Sequence, residues 1–224
     1  MKVSVVIPAY NEEQALPQVL RELPRRPPLD VVVVDNGSTD RTFVVAQAAR
    51  VKVAFEPRRG YGQACQTGLH MVDQDSDVIV FLDGDHSDFP EDLPALLAPI
   101  ERGEADLVIG SRMMGQAQPG SLAPQQRFGN WLACRLIALR FGRRFSDLGP
   151  FRAIRRSALE PLALRDRGFG WNVEMQLKAL KARLRIVEVP VRYRPRVGQS
   201  KISGTMLGSV RAALGILGMV ARHW

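Results

Sequence analysis

Five short apolar runs, each ending in a polar or glycine-containing cluster, set the strongest constraint on how this chain folds. They are Val3-Ser4-Val5-Val6-Ile7, Val31–Val34, Val51–Phe55, Val78–Leu82 and Leu107–Ile109. Helical patterns separate them: Glu12 to Leu23, Thr39 or Asp40 to about Arg50, Gly60 to Val72, and Glu91 to Arg102. Continuous apolar runs predict strands buried on both faces, hence a parallel sheet with helices on each side. The second half is less regular. Residues 117–124 read as a loop, Gln126 to Phe141 and Asn172 to Ala182 as helices, and Ile186–Val191 as a strand. Pro190 confines that last strand to an edge or a strand end. A basic loop over Arg192 to Ser203 and a final helix from Thr205 complete the chain.

Charge is divided unequally. Residues 1–110 carry 10 Lys/Arg against 18 Asp/Glu, whereas residues 111–224 carry 21 against 5. No acid occurs from Ser111 to Ser146, which holds six Arg, or from Val189 to the end. Such a basic half suits nucleic acid, phosphate groups or an anionic membrane. Nucleic acid is the weakest of these expectations: the chain has 3 Tyr and 3 Trp and no RNA-binding signature. Cys65 and Cys134 form no CxxC pair and are expected to be buried free thiols. Lys2-Val3-Ser4 runs straight into a strand, so no signal peptide is read, and no stretch is apolar enough to span a bilayer. The expected location is cytoplasmic, with contact at the cytoplasmic face of a membrane left open.

In open parallel sheets, ligands bind beyond the carboxyl ends of the strands. Polar residues gather there after all five runs: Pro8-Ala9-Tyr10-Asn11-Glu12, Asp35-Asn36-Gly37-Ser38-Thr39-Asp40, Arg58-Arg59-Gly60, Asp83-Gly84-Asp85 and Gly110-Ser111-Arg112. Asp83 and Asp85 repel one another unless a cation lies between them, and hard oxygen ligands favour Mg²⁺ or Mn²⁺. Gly84 permits close approach of a ligand to the backbone, and Ser87 or Asp88 could add an oxygen. Other motifs fail. There is no GxxxxGK[ST] loop, HExxH pair or GxSxG elbow, and Gly60-Tyr61-Gly62-Gln63-Ala64-Cys65 is a truncated GxGxxG after the third run.

The order and spacing of Val6-Ile7-Pro8-Ala9-Tyr10-Asn11-Glu12, Val34-Asp35-Asn36-Gly37-Ser38-Thr39-Asp40, Asp83-Gly84-Asp85 and Gly110-Ser111-Arg112 resemble family 2 inverting glycosyltransferases. Asp147-Leu148-Gly149-Pro150-Phe151-Arg152-Ala153 and Gln199-Ser200-Lys201 resemble the polyprenyl-phosphate mannose and glucose synthase group within it. The resemblance implies a GT-A fold, a UDP- or GDP-hexose donor and Mg²⁺ or Mn²⁺. It implies that Pro8, Ala9, Tyr10, Glu12, Gly60 and Gly84 line the nucleotide and that Asp35 faces the base. Asp83 would lie near the ribose or base and share the metal with Asp85 and Ser87. Ser87 stands where the synthase group often has Gln. Arg112 and Arg127 would receive an acceptor phosphate, and Lys201 would close over the donor diphosphate.

An acceptor phosphate is already ionised near neutral pH, whereas a hydroxyl acceptor needs a carboxylate base, for which Asp147 and Glu174 are the candidates. Three readings follow. They are transfer to a polyprenyl phosphate at a membrane surface, transfer to a soluble or saccharide hydroxyl, and a non-catalytic nucleotide-sugar-binding subunit. Residues 1–204 are expected to form the catalytic domain, and residues 205–224 an amphipathic helix facing core, membrane or a second copy in a homodimer. The helix over Gln126–Arg144, which mixes Trp131, Leu132 and Phe141 with five Arg, suits an anionic interface.

Overall fold

A computed structural model of the chain describes residues 1–198 and 218–219. Seven strands form one sheet: β1 (Val3–Ala9), β2 (Leu29–Asp35), β3 (Lys52–Phe55), β4 (Val78–Phe81), β5 (Leu107–Ser111), β6 (Arg152–Arg155) and β7 (Ile186–Pro190). The helices are α1 (Leu16–Glu22), α2 (Thr42–Ala48), α3 (Tyr61–Leu69), α4 (Leu93–Glu101), α5 (Pro124–Phe141), α6 (Arg156–Leu159) and α7 (Trp171–Lys181). Strand order is β3-β2-β1-β4-β6-β5-β7. All pairings are parallel except those of β6, which is antiparallel to both β4 and β5.

The expected mostly parallel, doubly covered sheet is present. Alternate side chains divide into two cores, as the period of a strand requires. Val6, Val32, Val34, Ile79 and Phe81 pack on one face with Ala64, Cys65, Ile137 and Trp171. Val5, Ile7, Val33 and Val80 pack on the other with Leu16, Leu96 and Ile100. Each fully buried Val or Leu contributes roughly 1.5–3 kcal/mol. Gly68 lets α3 lie close on β1, because a Cβ there would run into Val6.

The sequence reading differs from the structure in places. β6 was not anticipated: four residues with an Arg at each end carry almost no apolar signal, and pairing on both sides creates the strand. Helix α1 starts at Leu16 rather than Glu12, because residues 13–15 form a turn. α3 ends at Leu69, three residues before Val72. β7 is the edge strand foreseen, with Pro190 at its end. Both cysteines are buried and free.

The segment 205–224 lies almost wholly outside the described residues. Met219 is described; it is buried in the core and packs against Gly170. Among the described residues, no helix is long and apolar enough to cross a membrane.

Candidate active site

The carboxyl ends of β1, β2 and β4 open into a cleft of about 480 Å³. Its lining includes Pro8 and Ala9 at the end of β1, Tyr10 and Glu12 after it, Asn36 after β2, Gly60, and Asp83-Gly84-Asp85 after β4. A second cleft of about 410 Å³ lies beside it, with Arg112, Gln126, Leu148, Asn172 and Tyr193 in its wall. Tyr61, Asp83, Asp85, Phe169 and Arg196 belong to both.

Asp83 is the electrostatic centre. Burial, and then the nearby Asp85 charge, push its pKa up to about 7. Its Oδ1 is buried and makes no hydrogen bond among the described residues. An unsatisfied carboxylate oxygen beside a second carboxylate suits a small hard cation, so the pair fits Mg²⁺ or Mn²⁺. No group of three His, Cys, Asp or Glu able to hold a metal occurs among the described residues. Water and ligand oxygens would therefore complete the shell, the common pattern for Mg²⁺.

Ser87 corrects the expectation of a third ligand. Its N–H and hydroxyl both donate to Asp85 Oδ1, at 2.9 and 2.5 Å, so it orients Asp85. Arg196 faces the other oxygen: its Nη1 lies 3.3 Å from Asp85 Oδ2, and its Nη2 donates to Glu12 Oε1 at 2.6 Å. The sequence reading missed Arg196. Arg196 carries no local sequence signal beyond its charge, and its reach comes from tertiary pairing. Arg194 N–H bonds Ser87 O at 2.9 Å and Val197 N–H bonds Asp85 O at 3.1 Å.

Asp35 is also corrected. It is buried, and its carboxylate accepts the Ser38 N–H at 3.0 Å; Asn36, not Asp35, lines the cleft. The Asn36 amide donates to the carbonyls of Glu56 and Arg58, and its Oδ1 accepts the Gly60 N–H at 2.8 Å. Asn36 thereby ties the end of β2 to the turn before α3. Gly60 lines the cleft and has a second duty: with Gly62 it admits the segment 165–168, whose carbonyl oxygens a Cβ on either glycine would strike. This explains the truncated glycine motif as chain-to-chain packing.

Neither foreseen base is free. Asp147 is fully buried and grips Arg112 by two oxygens: Oδ2 accepts Nε at 2.8 Å and Oδ1 accepts Nη2 at 2.7 Å. Burial opposes the Arg112 charge, but Asp147 outweighs it and holds the guanidinium pKa above its ordinary value. Glu174 is buried and accepts the N–H groups of Arg165 and Asp166 at 2.9 and 2.7 Å, with Lys178 at 2.8 Å. Burial would raise its pKa, but Lys178 and those N–H groups lower it on balance. Both carboxylates are thus engaged by donors of the surrounding frame.

Arg127 lies exposed in the first turn of α5, outside the lining of either cleft, whereas Gln126 lines the second. Arg112 and Arg127 are thus not brought together as expected. Lys201 lies outside the described residues. Arg152, within the Asp147–Ala153 motif, is fully buried and donates to Gly149 O at 3.1 Å and Asn172 O at 2.8 Å. Burial lowers its pKa to about 10.

Known proteins agree with this architecture. The family model "Glycosyl transferase family 2" matches residues 4–162. An uncharacterised glycosyltransferase of Mycobacterium tuberculosis is 38% identical over 95% of this chain and 94% of its own length. The undecaprenyl-phosphate mannosyltransferase of Micrococcus luteus is 32% identical over 99% of this chain and 96% of its own length. A dolichyl-phosphate hexose transferase of Haloferax volcanii is 32% identical over 89% and 86%. The fold matches glucosyl-3-phosphoglycerate synthase of M. tuberculosis, solved with Mn²⁺, UDP and glucosyl-3-phosphoglycerate. The TM-score is 0.75 at 23% identity, over 98% of this chain and 80% of that one. With its GT-A sheet, its paired strand-end carboxylates and a family match over most of its length, this chain belongs to glycosyltransferase family 2.

Proposed function

We propose that the protein is an inverting hexosyltransferase that moves a hexose from a nucleoside-diphosphate donor to a polyprenyl phosphate at a membrane surface. The observation that carries the acceptor class is the commitment of Asp147 and Glu174 to buried partners. A site whose foreseen bases are both engaged suits an acceptor that arrives ionised. The phosphate relatives at 32% identity support the same reading.

In this reading the nucleotide lies along Pro8–Tyr10, Asn36 and Gly60 in the first cleft. Asp83 and Asp85 hold Mg²⁺ or Mn²⁺, which when bound neutralises charge on the departing diphosphate. The acceptor enters the second cleft, where Arg112 supplies a fixed cation. An acceptor phosphate oxygen forms a bond to the anomeric carbon from the face opposite the diphosphate. The carbon–oxygen bond to the diphosphate breaks, its electron pair stays on that oxygen, and no proton moves. Arg196 shifts from Asp85 toward the new phosphate charge. Fixed cations aimed at developing charge lower such barriers by several kcal/mol.

The membrane part rests on α5. Phe128 and Trp131 are exposed and in ring contact at 5.9 Å, among Arg127, Arg135 and Arg140. The test is transfer of labelled hexose from UDP- and GDP-sugars, with Mn²⁺, to undecaprenyl phosphate in anionic vesicles. Labelled lipid of inverted configuration is expected. Glycosylation of a soluble hydroxyl acceptor, with the lipid untouched, would replace this reading.

A further inference from the structure

The two clefts meet at a seam of Tyr61, Asp83, Asp85, Phe169 and Arg196, and Phe169 is its one wholly apolar side chain. It is 40% exposed. An aromatic face left to water in the middle of a polar site is covered at a gain when a ligand binds.

That exposure does not come from a loose loop. Gly62 and Gln63 N–H donate to the carbonyls of Gly168 and Arg167 at 3.1 and 3.0 Å. Glu174 holds the N–H groups of Arg165 and Asp166, and the Asp166 carboxylate accepts the Gly168 N–H at 2.8 Å. Met219 packs on Gly170. The ring is therefore presented by a segment braced at both ends.

Asn172, which shares the lining of the second cleft with Phe169, keeps a buried Oδ1 without a hydrogen bond among the described residues. Buried polar groups cost free energy until a partner arrives. The ligand that answers an exposed aromatic face in a cleft that also holds an unsatisfied amide oxygen has one apolar C–H face and hydroxyls at its edge, which is a pyranose.

We propose that the hexose of the donor stacks on Phe169, with a hydroxyl bonded to Asn172 Oδ1. Phe169 is then the residue that separates binding of the sugar from binding of the nucleotide. This rests on the donor class assigned above and is independent of the acceptor.

Calorimetry with Mn²⁺ tests it, comparing UDP with UDP-glucose and GDP with GDP-mannose on the wild type and on Phe169→Ala, Phe169→Tyr and Asn172→Ala. Phe169→Ala should weaken the bound nucleotide-hexose by about tenfold and leave the matching nucleoside diphosphate within about twofold. Phe169→Tyr, which keeps the ring, should stay close to the wild type, and Asn172→Ala should follow Phe169→Ala. Equal losses for both ligands would make Phe169 a support of its loop. An unchanged nucleotide-hexose affinity would take the sugar away from it, and a wild type that binds none of the four ligands would refute donor class and stacking together. Failure to glycosylate undecaprenyl phosphate would count only against the acceptor, since no acceptor enters this measurement.

Discussion

The Asp147 carboxylate uses both of its oxygens on the Arg112 guanidinium. Its place in the Asp147–Ala153 motif marked it as functional, yet its charge is spent on Arg112 inside the protein. Removing one partner of a buried ion pair strands the other. Asp147→Asn should therefore destabilise the fold by about 3 kcal/mol, read as a lower urea midpoint. A midpoint equal to the wild type would mean that the pair is solvated. Glu56 gives a pH-dependent case. Arg58 first, then Thr67, hold its pKa down to about 2, against an ordinary 4.5. Because the folded value is depressed, its stabilisation is complete above about 4.5 and is lost as pH falls toward 2. Glu56→Gln should cost about 1 kcal/mol at pH 7, and the gap to wild type should narrow below pH 4.5 in parallel urea titrations. A gap that is constant across that range would remove the ionised carboxylate from the account.

Among the elements, α5 is the least like the helix that its composition suggested. It does not divide into one apolar and one charged side. Ala133, Cys134 and Ile137 are buried in the core, while Phe128, Trp131 and Leu139 are exposed on another side, interleaved with Arg. Core packing and interfacial attachment are therefore compatible in one helix. Replacing both Phe128 and Trp131 by Ser should weaken binding to anionic vesicles about tenfold or more. The melting curve should barely move, because exposed positions change stability by only about 0.5 kcal/mol. Rising salt should weaken the wild type as well, since part of the attraction is screened charge. A wild type that ignores anionic vesicles at low salt would detach α5 from the membrane.

For the molecule as a whole, the excess of acid before residue 110 and of base after it is settled at the cleft. Asp83, Asp85 and Glu12 come from the acidic half, and Arg112 and Arg196 from the basic half. Arg196 spans Asp85 and Glu12 as an internal counter-ion. A divalent ion with a nucleoside diphosphate should then raise the melting temperature by mass action, worth about 2.7 kcal/mol at a hundredfold excess over Kd. Asp85→Ala should abolish the part of that shift that depends on Mn²⁺ while leaving the unliganded protein folded. An unchanged Mn²⁺-dependent shift would remove Asp85 from the metal site.

Local pattern was enough for the parallel core, the rim of polar strand ends and the pair Asp83 and Asp85. A buried strand needs an unbroken apolar run, and a cleft at its end needs the residues that follow immediately. Sequence neighbours carry both. The engagement of Asp147, Glu174 and Ser87, the burial of Asp35, the two-sided pairing of β6 and the arrival of Arg196 opposite Asp85 were not legible in that way. The longest of these links join distant parts of the chain, such as Arg112 for Asp147 at 35 residues' separation and Glu12 for Arg196 at 184, while Ser87 meets Asp85 only two residues away. Hydrogen-bond partners at that range are chosen by packing, because a carboxylate carries the same signal in a sequence whether it meets a metal, a substrate or a buried arginine.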